Sequence, residues 1–87
     1  MRARSYYDGD LVAIVLQDTL TRGERSLVGS GEGELVLRTR RAFQSAMREE
    51  AIAGVEELTG RKVLAFMSDN HLDPDVAVES FVLVPED

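Results

Sequence analysis

Eighty-seven residues make one domain, near the lower limit of what folds without disulfide or metal staples. The chain has no cysteine, which excludes a disulfide framework and thiolate or zinc–thiolate chemistry and fits a reducing, cytoplasmic setting. Sixteen acidic against ten basic residues give a net charge of −6, the wrong sign for gripping a phosphate backbone, so no nucleic-acid partner is expected.

The composition, 44% hydrophobic and 30% charged, is that of a folded globular chain. Its longest apolar stretches, Leu11 to Leu16 and Val63 to Met67, are far too short to cross a bilayer. The basic opening Met1-Arg2-Ala3-Arg4-Ser5 runs into Tyr6-Tyr7-Asp8 instead of an apolar segment, which argues against a secretory signal. Direct membrane insertion is therefore not expected. Any tie to a membrane would run through a partner.

In chain order, Ser5 to Tyr7 and Leu11 to Gln17 are predicted strands joined at Asp8-Gly9. Asp-Gly is a hairpin signal because a type I′ turn needs positive φ at both central residues. Thr21 with Glu24 three residues on has capping-box spacing and predicts a short helix over Arg22 to Val28. Gly29-Ser30-Gly31-Glu32-Gly33 should end it. A long helix is then expected from Gly33 or Glu34 to Leu58. Val36, Phe43, Met47, Ala51, Val55 and Leu58 recur along it at helical spacing and should share one face. Gly60 is placed to take the left-handed conformation that closes a helix. Gly54, inside the helix, suggests a close packing contact. Arg61 to Ser68 and Val76 to Val84 are the last two strands, with 69–75 as their loop and Pro85-Glu86-Asp87 as a stop.

Three of the four strands do not alternate. Leu11 to Leu16, Val63 to Met67 and Phe81 to Val84 are apolar at successive positions, as if both faces were buried. Either the helices divide between the two faces, or they cover one and a second copy covers the other. The second arrangement is the reading taken, with Val12, Ile14, Leu16, Phe66 and Val82 as interface candidates. The strands Leu11–Gln17 and Val76–Val84 are expected at the centre of the sheet, with Ser5–Tyr7 at an edge.

Chemistry-bearing residues are few. The single histidine, His71, sits with Asp69, Asp73 and Asp75, which could offer oxygen and nitrogen to a divalent cation, although Asp, Asn and Pro are also what a turn requires. No catalytic set is legible, since Ser68 and Ser80 have only His71 as a possible base and no nucleophile elbow is present. Gly29 to Gly33 lacks the lysine of a phosphate loop. Neither cofactor nor metal is expected. Arg38, Arg40, Arg41 and Arg48 could grip an acidic partner or ligand; the alternative is a solvated face paired with Glu34, Glu49 or Glu57.

Taken in succession, several segments resemble the bacterial MpsC family, named for a sodium-translocating membrane-potential-generating system. They are Tyr6-Tyr7-Asp8-Gly9-Asp10-Leu11-Val12, Gln17-Asp18-Thr19-Leu20-Thr21-Arg22-Gly23-Glu24, Gly31 to Val36 followed by Arg40-Arg41 and Phe43, Glu57-Leu58-Thr59-Gly60-Arg61-Lys62-Val63, and Ser68-Asp69 with Asp75 and Phe81-Val82-Leu83. The resemblance implies a small accessory or regulatory domain with a membrane-system protein as a possible partner, and it carries no catalytic residues. Tandem copies in longer members accord with a dimer. The expectation is thus a single α+β domain over 1–87 in β-β-α-α-β-β order. It should have a four-stranded, largely antiparallel sheet, with one long and one short helix packed on one face. Its role would be a cytoplasmic, non-catalytic homodimer working through protein contacts. The alternative is a dimeric domain binding a small anion or metal in a cleft near the 69–75 loop, drawing on Arg38, Arg41, Asp69 and His71.

Overall fold

The computed structural model describes residues 1–86. Strands β1 (Arg2–Asp8) and β2 (Leu11–Gln17) form the first hairpin, followed by helices α1 (Arg22–Gly29), α2 (Gly33–Ala46) and α3 (Arg48–Thr59). Strands β3 (Val63–His71) and β4 (Val76–Leu83) close the chain; Asp87 lies outside the described residues. All neighbouring strands are antiparallel, in the order β1-β2-β4-β3. The two central strands are those expected at the centre, and β1 is an edge.

Several expectations need correction. Positive φ occurs at Gly9 but not at Asp10, so the first hairpin has the type II′ pattern and not type I′. The segment Asp69-Asn70-His71 continues β3, so the loop shrinks to 72–75. Gly54 marks no close contact, because a Cβ built there would meet nothing within 4 Å.

The helical layer has three members, not two. The long helix breaks at Met47, whose φ of −98° and ψ of 3° leave the helical basin. An unbroken run over 33–59 would be about 40 Å long at 1.5 Å per residue. Strands of this length reach only about 25 Å, so a straight helix would overhang the sheet. The apolar stripe predicted along one helix is divided accordingly. Val36 and Val55 are buried and Ala51 is partly so, but Phe43, Met47 and Leu58 are exposed.

Register sorts the sheet into two faces, because side chains alternate along each strand. Tyr7, Val12, Phe81 and Phe66 form one row, while Ser5, Ile14, Glu79 and Ser68 form the next. This is the helix side. Val12, Val55, Phe81 and Leu83 make the core there, with Ile14, Ala51, Ile52, Val63 and Phe66 packed against them. The Phe66 and Phe81 rings lie 4.7 Å apart and tilted.

The opposite side carries four rows: Arg2-Gln17-Val76-His71, Arg4-Val15-Val78-Asp69, Tyr6-Ala13-Ser80-Met67 and Asp8-Leu11-Val82-Ala65. Its centre is apolar, and Leu11, Met67 and Val78 are exposed.

The end of α3 is anchored by Gly60, whose φ of 69° is readily adopted only by glycine, and by Arg61. Arg61 donates to Gly9 O (2.8 Å), Val84 O (2.9 Å) and Asp10 Oδ1 (2.5 Å). Its Nε stands 3.2 Å from Glu86 Oε1, an ion-pair distance without hydrogen-bond geometry. One guanidinium thus joins the first turn, the last strand and the helix exit.

Phe81 is 1% exposed and central to the core. Phe81→Ala is expected to remove about 3–5 kcal/mol of stability through lost burial and the cavity left behind. Urea unfolding followed by far-UV circular dichroism checks it; a loss below about 1 kcal/mol would mean the core lies elsewhere.

Candidate functional site

The densest polar constellation surrounds Arg40 on α2. Its Nε and Nη2 donate to Glu24 Oε2 and Oε1, both at 2.9 Å, a two-point grip on one carboxylate. Nη2 also reaches Thr19 O (3.0 Å), and Nη1 reaches Thr19 Oγ1 (2.8 Å) and Asn70 Oδ1 (3.5 Å). Thr19 Oγ1 donates in turn to Asp75 Oδ1 (2.9 Å), while Asp75 Oδ2 accepts from the Leu20 amide (2.8 Å). The α1 capping box completes the set, with Thr21 N bonded to Glu24 Oε1 (2.9 Å) and Glu24 N to Thr21 Oγ1 (3.1 Å).

This set is architectural in its chemistry. Each carboxylate is occupied by internal donors, so none is left poised for proton transfer. The hydrogen bond from Arg40, foremost, holds the Glu24 carboxyl down from its usual 4.5 to about 2, against the opposing effect of burial. Glu24, in return, raises the Arg40 pKa. For Asp75 burial acts to raise the pKa, but the bonds from Leu20 and Thr19 outweigh it and the net shift is downward.

The other arginines of the helical segment behave differently. Arg41 Nε makes a single long bond to Leu37 O at 3.4 Å. Arg48 lies over the Phe66 ring, 5.4 Å from its centroid, and donates to Phe66 O at 3.3 Å. Neither pairs with Glu34, Glu49 or Glu57 among the described residues. Arg41, Gln44, Ser45, Arg48, Phe66 and Ser68 instead line a cleft of about 220 Å³ where α2, α3 and β3 meet. Arg38 lines a separate groove on α2 with Leu35 and Phe43. Ser68 Oγ is buried without a hydrogen-bond partner among the described residues. Such a group costs about 1–3 kcal/mol when left unpaired.

The cluster expected near the last loop is not assembled. Ser68 and Asp69 are successive strand residues and point to opposite faces, so Arg41 shares a cleft with Ser68 and not with Asp69 or His71. His71 Nδ1 is 2.7 Å from Pro74 O and is occupied by its own turn. Asp73 and Asp75 line a cavity of about 370 Å³ with Asp18, Leu20 and Arg25. No group of three or more His, Asp or Glu side chains able to hold a metal forms among the described residues.

Of the interface candidates, Val12 is buried in the core, with Ile14 and Phe66 packed against it. Leu16 shares their face by alternation; only Val82 belongs to the open face. The face that lacks a cover is the one formed by Leu11, Ala13, Val15, Val78, Val82 and Met67.

The family model described as "Na+-translocating membrane potential-generating system (MpsC)" matches residues 2–84. No curated protein and no solved structure matches the chain. The segments that carried the resemblance supply Leu20, Thr21, Glu24, Arg40 and Asp75 to one network, and Gly9, Asp10 and Arg61 to the other. No helix among the described residues is long and apolar enough to cross a membrane.

Because the folded pKa of Glu24 lies below its ordinary value, the ionised carboxylate stabilises the fold fully above pH 4.5. That contribution is lost as the pH falls toward about 2. Glu24→Gln keeps the capping geometry and removes the charge. It is expected to cost about 1–3 kcal/mol at pH 7, allowing for screening at a side chain 23% exposed, and almost nothing near pH 2. Chemical denaturation across that pH range measures both limits; a cost that persists at low pH would show that geometry and not charge matters.

Proposed function

We propose that this chain, which belongs to the MpsC family, is a non-catalytic accessory domain that works as a homodimer through its open sheet face. The observation that carries the reading is a surface too large for the chain's mass. The accessible area is 6164 Å², whereas a compact monomer of 9.6 kDa exposes about 5,100 Å². The radius of gyration, 14.5 Å, likewise exceeds the roughly 12 Å of a compact domain of this length. The excess is on the scale of the ~800 Å² that each partner buries in a standard interface.

The open face is also self-complementary. A twofold axis parallel to the strands, midway between β2 and β4, lays β1 of one copy over β3 of the other. Within one row, Arg4 then stands over Asp69 of the second copy, and Val15 over Val78. In the other rows Leu11 meets Val82 and Tyr6 meets Met67. Opposite charges flank an apolar centre, and packed sheets stand about 10 Å apart, a distance an arginine and an aspartate span together.

The family's printed description ties it to a sodium-translocating system. With no helix among the described residues able to cross a bilayer, a contact with a membrane-embedded component from the cytoplasmic side is the role this fold suits.

Light scattering after size exclusion is expected to give a dimer at tens of micromolar. Val78→Lys should weaken it about 100-fold or more by burying an unpaired ammonium, with the monomer still folded. Arg4→Asp should weaken it too, and the Arg4→Asp/Asp69→Arg pair should recover it. Phe43→Glu, on the exposed groove of α2, should leave it unchanged. A wild-type monomer, or dissociation by Phe43→Glu alone, refutes the assignment of this face. Separately, a tagged chain is expected to retain a membrane-embedded component of the system in mild detergent; recovering none sinks the accessory role and leaves the dimer standing.

A further inference from the structure

We infer that the cleft between α2, α3 and β3 is a binding site for a small oxyanion, a carboxylate or a phosphate, held by Arg41 and Arg48. The cleft lies on the helix side of the sheet, so this site stands apart from the open face and does not depend on dimerisation. Its volume of about 220 Å³ equals that of several water molecules, enough for a small anion with part of its hydration.

The contrast among the arginines carries the argument. Arg40 and Arg61, whose side chains are 18% and 8% exposed, are both matched to carboxylates from elsewhere in the chain. Arg41 and Arg48 face one cleft and have no carboxylate partner among the described residues, in a chain that carries 16 acids. Each guanidinium has five N–H donors, and each of these two uses only one on a backbone carbonyl. Arg48 is also held over the Phe66 ring, so its position is set before anything binds. Planar, forked donors of this kind suit a carboxylate or phosphate better than a point charge does.

The remaining lining fits the same chemistry. Gln44 and Ser45 on the last turn of α2 add neutral donors, and Ser68 on β3 brings the buried hydroxyl that has no partner among the described residues. A rotation about its χ1 to another staggered well would turn that hydroxyl toward an occupant. Two carboxylates limit what enters. Glu79, the β4 neighbour of Ser68, and Glu50 line the adjoining cavity with Phe43, Met47 and Ala51. They stand away from the two guanidinium groups and confine a small anion to the arginine end.

Titration of the ¹⁵N-labelled protein with sodium phosphate, sodium acetate and sodium chloride at matched ionic strength tests the site by amide and arginine Nε–H shifts. Saturable shifts centred on Arg41, Gln44, Ser45, Arg48 and Ser68, with a dissociation constant on the order of millimolar for phosphate or acetate but not chloride, are expected. The preferred anion identifies phosphoryl or carboxylate ligands. Arg41→Gln should weaken binding about tenfold, and Ser68→Ala, which tests the buried hydroxyl without disturbing the helix, about threefold. Arg25→Gln, which removes an equal charge on α1, should change it less than twofold. Shifts that stay linear for all three salts, or equal weakening by Arg25→Gln and Arg41→Gln, would show only diffuse charge and overturn the site.

Discussion

The fold hangs on one guanidinium. Arg40 brings together the β2–α1 junction at Thr19, the cap of α1 at Glu24 and the end of β3 at Asn70, and through Thr19 it reaches Asp75 before β4. These partners are separated from it by 16 to 35 residues of chain. The hydrophobic core cannot do this work, because it is centred on Val12, Val55, Phe81 and Leu83, under α3. Helices α1 and α2 therefore depend on polar ties and on a few buried side chains such as Leu20, Val36 and Ala77.

A thin core has a physical consequence. Four strands offer two faces, and the helices that contact the sheet, α2 and α3, approach it from the side that carries Val12, Phe66 and Asn70. The other face remains apolar at its centre and charged at both edges. Most of the helical length is already committed to the first face, which leaves the second uncovered by these residues. The break at Met47 belongs to the same constraint. It lets α3 lie along the sheet while α2 turns toward α1 and the Arg40 network.

Local signals in the chain placed the element ends, though not the type of the first turn. Thr21 and Glu24 announce a capping box, Gly60 a left-handed helix end, and the two-residue loop a hairpin, because each depends on residues within a few positions. The fate of Arg40 was not legible. No glutamate lies three or four positions from Arg40 on its own helix, and only folding brings Glu24, 16 residues back in the chain, to it. The cleft lined by Arg41, Arg48 and Ser68 was hidden for the same reason, with 18 residues separating Arg48 from Phe66. The cluster drawn around Asp69 and His71 failed because alternation sends Asp69 and Ser68 to opposite faces, and nothing local says which face the helices take.

The sequence by itself determined that this is an α+β chain with its helices between two strand pairs and an antiparallel sheet, though not that the long helix divides in two, since turn residues, caps and hydrophobic periodicity act over a few residues. It also exposed a surplus of apolar strand positions, since both parities of β2 and β4 are apolar. Only the tertiary structure decided which parity is covered. When both faces are hydrophobic the pattern is symmetric, and the choice falls to contacts across the chain. Val12, Ile14 and Phe66 went beneath α3, and Leu11, Val15, Val78 and Val82 were left on the open face.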